Sequence, residues 1–111
     1  MKNRVKYRSR LQIIADILIA AGKGSRKTNI MFRCYLSHKV LCKYLENIVE
    51  AGLLRVQGSS ECIYVTTEKG RTFLEQFSEY SERRRQLEQG INNVSNIEMS
   101  LEQMVSNCGR H

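Results

Sequence analysis

Residues 27–66 read KTNIMFRCYLSHKVLCKYLENIVEAGLLRVQGSSECIYVT, and the changes of period within this stretch decide the fold. Val40, Leu41, Tyr44, Leu45, Ile48 and Val49 recur at helical spacing, which predicts a helix from about His38 to Ala51. Ser37 is placed to cap its start, and Gly52 supplies the residue just past its end. A shorter helix precedes it, with Ile30, Met31, Cys34 and Tyr35 facing inward and Thr28 or Ser25 as its cap. Leu36 sits in the turn between the two. Beyond Gly52, Leu53–Gln57 and Cys62–Thr66 read as strands joined by Gly58-Ser59-Ser60-Glu61. Leu54 and Val56 share one strand face, as do Ile63 and Val65. The order is a helix-turn-helix followed by a two-stranded wing.

The flanks fit around this centre. Ser9-x-x-Gln12 has the form of a capping box. It opens a structural helix in which Leu11, Ile14, Ile17 and Leu18 make a stripe, Ile13 and Ala15 broaden it, and Gln12 and Asp16 mark the solvent side. Gly22 and Gly24 end that helix. Residues 1–8 carry a basic residue at every even position and are expected to form a basic arm, free to follow phosphates or to fray. The winged-helix domain is expected over residues 9–70.

Thr66 or Thr67 can cap a last helix over residues 67–106. In it Phe73, Phe77, Tyr80, Arg84, Leu87, Ile91, Val94, Glu98, Leu101 and Val105 alternate spacings of four and three, the pattern of a coiled coil. The two charged members, Arg84 and Glu98, lie seven residues either side of Ile91. A parallel pair would set each against its own copy; an antiparallel pair brings Arg84 near Glu98 of the other chain. An antiparallel homodimer is therefore expected, with Phe77, Tyr80, Arg84, Leu87, Ile91, Val94, Glu98 and Leu101 in its seam. Residues 90–96 (GINNVSN) are poor helix formers. A break there would fold residues 94–105 back as a hairpin, whereas the uninterrupted heptad favours one continuous helix.

Charge divides the chain. Residues 1–60 hold twelve Lys and Arg against three acids, and residues 61–111 hold six against eight. A basic half joined to a weakly acidic half fits a polyanion-binding head and an assembly segment. On the longer helix of the pair, Lys39 and Lys43 precede Glu46 and Glu50, so only its first two turns can approach phosphate without repulsion. Recognition helices commonly use those turns. Lys39 and Lys43 are the main candidate contacts, with Ser37, His38 and Asn47 beside them. Lys27, Thr28 and Arg33 on the preceding helix are expected at the phosphate backbone. Arg55 is the only base of the wing, so wing contacts should be weak.

No run is apolar enough to cross a membrane, and no signal peptide opens the chain, so a cytoplasmic, nucleoid-associated protein is expected. Cys34, Cys42, Cys62 and Cys108 form no C-x-x-C pair, which argues for reduced thiols and no metal or other cofactor. Two histidines and no phosphate-binding loop offer no catalytic constellation. The lack of an aromatic stacking platform favours duplex DNA over single strands.

The stretch KTNIMFRCYLSHKVLCKYLENIVEAGLL, followed by YVTTEKGRTFLEQF, resembles the archaeal winged-helix DNA-binding family. It is similar to small chromatin-associated members that dimerise through a C-terminal antiparallel coiled coil. The resemblance spans roughly residues 9–80. It implies a mainly α fold with a small β-hairpin and dimeric, double-stranded DNA binding with little sequence preference, in chromatin architecture or transcription regulation. A protein-docking winged helix is the alternative. The absence of Arg and the single Asn on the recognition helix also point to low specificity.

Overall fold

The structure, a computed structural model, describes residues 8–108. Its elements are α1 (Arg10–Ala21), β1 (Ser25–Arg26), α2 (Lys27–Cys34), α3 (His38–Glu50), β2 (Leu54–Gln57), β3 (Ile63–Thr66) and α4 (Glu68–Cys108). The chain forms two compact units, Met1–Phe77 and Ser78–His111. The expected basic arm lies outside the described residues apart from Arg8.

Helix α1 starts where Ser9 accepts the Gln12 N–H at 3.1 Å. The Gln12 side chain does not complete a capping box. It turns to Asp16 at 2.9 Å, because Asp16 is a half-buried acceptor that Arg8 also engages at 2.8 Å. Asp16 is thus held in a small polar cluster. The stripe Ile14, Ile17 and Leu18 is buried, while Leu11 lies at its exposed edge.

Helix α2 has no side-chain cap; Arg26 occupies the cap position in extended conformation. Ser25 and Thr28 do not serve, because Ser25–Arg26 is drawn into a strand. Ser25 lies opposite Tyr64 and Arg26 opposite Ile63, and the Ser25 hydroxyl donates to the Ala20 carbonyl at 2.8 Å. The sheet therefore has three antiparallel strands in the order β1-β3-β2. A two-residue strand is too short to show a period, which is why only the β2–β3 hairpin was legible.

Helix α2 ends at Tyr35, in the left-handed region at φ 56° without a glycine. The Leu36 N–H reaches back to the Met31 carbonyl. This reversal turns Tyr35 out to 84% exposure instead of onto the inner face expected from spacing. Ser37 then caps α3 by accepting the Val40 N–H at 3.3 Å. Leu41, Leu45 and Ile48 are buried, while Val40 stands at the exposed edge. Gly52, at φ 84°, follows the end of α3, as expected from sequence.

In the wing, Arg55 opposes Val65 and Val56 opposes Tyr64. Leu54 is 2% exposed but Val56 is 43% exposed, although alternation places them on one face. Strand β2 is the sheet edge, and it outruns the helices that cover Leu54. The core joins Ile14, Ile17, Leu18, Ile30, Cys34, Leu41, Leu45, Ile48, Leu53, Leu54 and Tyr64, with Phe73 and Leu74 of α4 packed against it.

The root of α4 is fixed by Thr67-Glu68-Lys69-Gly70. Thr67 accepts the Gly70 N–H at 3.0 Å and donates to the Gly52 carbonyl at 2.6 Å. Lys69 donates to the Ala51 carbonyl at 2.7 Å. Helix α4 then continues without a break to Cys108. A Cβ at Gly90 would meet no atom within 4 Å. A Cβ at Gly70 would collide with the Leu53 carbonyl and the Thr66 methyl. Gly70→Ala is therefore expected to lower unfolding stability by about 1–3 kcal/mol, measured by urea denaturation. Gly90→Ala, where space is open, should not lower it.

Candidate nucleic-acid interface

Lys39 and Lys43 project from the first half of α3 and are exposed. Ser37, capping that helix, already accepts one N–H through its hydroxyl oxygen. Its O–H remains a donor for a phosphate at the positive end of the helix. Thr28, Arg33 and Arg55 are exposed and Lys27 is half-buried. Among the described residues, Lys27, Arg33, Lys39, Lys43 and Arg55 have no carboxylate within 4.0 Å.

The structure brings some of these residues together and separates others. Lys27 lines a groove with Cys42, Glu46, Glu50 and Val56, between α3 and the wing. Its ammonium lies 3.7 Å from the Cys42 sulfur, and His38 approaches the same sulfur at 3.6 Å. Two acids of the second half of α3 thus share the groove with Lys27. They would weaken the attraction of a phosphate to Lys27, so the first half of α3 offers the more favourable positive surface. Arg33 lines a different cleft, with Arg8, Asp16, Ile19 and Tyr35. Lys27 and Arg33 do not act at one point. Arg55 stands on the outer strand of the wing.

Arg8 and Arg26 are engaged within the protein, and sequence alone gave no sign of their partners. Arg8, expected as part of the arm, donates to Asp16 and to the Cys34 carbonyl, the latter at 2.8 Å. It thereby satisfies an orphan carbonyl at the end of α2. Arg26 pairs with Glu61 at 2.8 Å, which offsets the one acid at the wing tip. The contact forms only because β1 and β3 lie side by side.

Among the described residues no group of three or more His, Cys, Asp or Glu side chains is placed to hold a metal ion, and no helix is long and apolar enough to cross a membrane. Cys34 is buried and Cys62 exposed. Burial, with the Asp16 carboxylate adding to it, pushes the Cys34 thiol up to about 11 from 9.0, while Arg8 and Arg33 pull the other way.

In the second unit the face of α4 bearing Tyr80, Leu87, Ile91, Val94, Leu101 and Val105 is exposed. Arg84 lies 3.6 Å from Glu88 in an exposed pair. Glu98 is exposed. The heptad reading missed Ile97 and Met104, seven apart, which flank this face and are also exposed. They widen the apolar surface in the second half of the helix. The signal was present in their i, i+7 spacing, but they fall outside a strict two-position seam.

A helix-turn-helix capped by Ser37, a hairpin wing paired with a short third strand, and a helix rooted on the end of α3 define the winged-helix class of DNA-binding folds. The chain belongs to the winged helix-turn-helix family, whose model matches residues 7–85. Its structure is similar to that of Sso10a-2, a DNA-binding protein from Sulfolobus solfataricus, with a TM-score of 0.77 and 26% identity over 81% of this chain and 96% of that one. It also shares its fold with BpsR of Bordetella bronchiseptica, whose DNA binding is regulated by 6-hydroxynicotinic acid. There the TM-score is 0.59 and the identity 14%, over 72% of this chain and 59% of that one. No curated protein matches the chain.

The raised thiol sets a sign for pH. The folded state favours neutral Cys34, so its contribution to stability is complete below pH 9.0 and is lost as pH rises through about 11. In native-state alkylation with iodoacetamide at pH 8, read by mass spectrometry, Cys62 should react first. Cys34 should lag by more than about tenfold, since the thiolate is the nucleophile. Comparable rates at the two sites would contradict the packing of Cys34.

Proposed function

We propose that the protein is a homodimer that binds double-stranded DNA with low sequence specificity, as a chromatin-architectural protein or a transcription regulator, and is not an enzyme. Residues 9–70 are the DNA-binding domain and residues 67–106 the dimerisation helix. Binding would place it on the nucleoid, in the cytoplasm. The observation that carries this reading is the pair Lys39 and Lys43, exposed on the leading half of α3 with no carboxylate within 4.0 Å among the described residues. Lys27, Thr28, Arg33 and Ser37 supply backbone contacts, and Arg55 a minor one from the wing. The similarity to Sso10a-2, a DNA-binding protein, supports it.

Low specificity follows from the side chains available. Neither Lys39 nor Lys43 has the planar fork that reads guanine, and Asn47 is the one amide on the helix suited to adenine. A protein-docking role has one observation in its favour, the exposed aromatic side chains Phe32 and Tyr35, but it leaves the unpaired lysines without a purpose.

For the dimer, the exposed stripe of α4 is the support. Helices of an antiparallel coiled coil pack a positions of one chain beside d positions of the other. Setting Ile91 beside the partner's Val94 places Arg84 about three residues, or roughly 4.5 Å along the axis, from the partner's Glu98. Long side chains span that offset.

Two measurements test these readings separately. With about six phosphate contacts per domain, the logarithm of affinity for random duplex DNA should fall with log salt at a slope of roughly −5 per domain. Lys39→Glu with Lys43→Glu should weaken binding at least tenfold and flatten that slope by about 2; an unchanged isotherm would remove α3 from the interface. By sedimentation equilibrium, Arg84→Glu alone should weaken self-association, and adding Glu98→Arg should restore it. In a parallel dimer the single change exchanges one like-charge pair for another, so an unaffected single variant would exclude the antiparallel arrangement.

A further inference from the structure

The first unit holds a cleft that the DNA-binding reading does not use. It lies where the end of α1, strand β3 and the first turns of α4 meet, and has a volume of about 450 Å³. Its floor is apolar: Leu18, Ile19, Val65 and Leu74. Thr66, the polar residue there, is already satisfied. Its hydroxyl donates to the Leu18 carbonyl at 2.6 Å and its N–H to the Gly22 carbonyl at 2.9 Å. The floor therefore offers surface for dispersion and burial but asks for no hydrogen bond.

Two cations border this floor, Lys23 from the turn after α1 and Arg71 from α4. Both are exposed, and among the described residues neither has a carboxylate within 4.0 Å. The guanidinium of Arg71 makes one long contact, 3.4 Å to the Thr66 carbonyl, which leaves its other N–H groups available. An apolar floor bordered by two unpaired cations is complementary to a ligand with an apolar body and one anionic group. A phosphate of DNA would satisfy the cations but leave the floor in water. A neutral hydrocarbon would fill the floor but leave the cations unused. The volume suits one ring or a short acyl chain, and the fork of Arg71 suits a carboxylate.

We propose that this cleft binds a small amphipathic carboxylate, aromatic or short-chain. The apolar body rests chiefly on Ile19 and Leu74, over the buried Leu18 and Val65, and the carboxylate is held by Lys23 and Arg71. Such a ligand joins the end of α1 to the root of α4 through one molecule. Occupancy therefore stabilises this unit, by an amount that grows with the logarithm of ligand concentration above Kd.

The test is a titration of the full chain with benzoate and with octanoate, followed by amide chemical shifts, with benzamide as the neutral counterpart of benzoate. Saturable shifts should centre on residues 18–23, 65–66 and 71–74, and benzamide should bind at least about tenfold more weakly than benzoate. Lys23→Gln with Arg71→Gln should reduce benzoate affinity at least about tenfold while leaving the circular-dichroism melting curve in place. Ile19→Glu, at a position already exposed, should abolish binding of both acids. Absence of saturable shifts, equal affinity for benzamide, or unchanged benzoate affinity in the variants would each overturn the assignment. So would a change of oligomeric state in the Lys23/Arg71 variant with benzoate binding intact, which would give the cleft to a second copy of the chain. DNA binding is measured apart, so failure here leaves that reading untouched.

Discussion

The junction between the end of α3 and the start of α4 is the constraint on which the first unit depends. A helix ends with carbonyls that have no partner inside it, and a helix begins with N–H groups in the same condition. Here the carbonyls just past the end of α3 are met by the cap and first turn of α4. Thr67 donates to the Gly52 carbonyl and accepts the Gly70 N–H, the Thr67 N–H reaches the Leu53 carbonyl, and Lys69 places its charge on the Ala51 carbonyl, where the helix dipole is negative. The approach is so close that position 70 must be glycine. Helix α3 is thus held at its far end, and Ser37, Lys39 and Lys43 stand exposed at its near end.

Charge follows the same division between held and free groups. Arg8 and Arg26 are engaged inside the unit, the first closing the end of α2 and the second neutralising Glu61. The lysines of α3 have no such partners. Net charge therefore overstates the free positive surface: Arg8 and Arg26, in the first half of the chain, organise structure. The acids Glu46 and Glu50 narrow the surface further, because they line the groove that also holds Lys27. The positive surface left free is a short edge, bounded by acids on α3 and by a wing with little charge.

Most of the fold was legible because its elements are long enough to repeat. Ser9 and Ser37 cap where their spacing placed them, Gly52 follows α3, and the heptad correctly favoured a helix unbroken through Gly90. The misplaced residues share a cause. Tyr35 sits at helical spacing, but the left-handed reversal at its own φ turns it outward. Val56 alternates with Leu54, but the sheet edge runs beyond its cover. Ser25 has the chemistry of a cap, but it is recruited into β1. In each case a feature other than the local period, whether a backbone reversal, a strand partner or missing cover, decided where the side chain went. The candidate contacts rest on charge and helix face, a basis that puts Lys39 and Lys43 on the exposed side of α3. It could not show that Lys27 and Arg33 line different clefts.

By itself the sequence determined the order of the four helices and the β2–β3 hairpin, the caps of α1 and α3, most of the buried stripe of each helix, the asymmetry of charge along α3 and the apolar face of α4. All of these are set by neighbours within a few turns, where spacing is a direct record of geometry. Only the tertiary structure decided which cations are paired, that a third strand closes the sheet, that α4 is rooted on the carbonyls of Ala51, Gly52 and Leu53 just past α3, and that Lys23 and Arg71 border one apolar cleft. Those contacts join residues far apart in the chain, such as Arg8 to Cys34, Arg26 to Glu61 and Leu18 to Thr66. No local period records them, because they exist only once the core has brought distant backbone together.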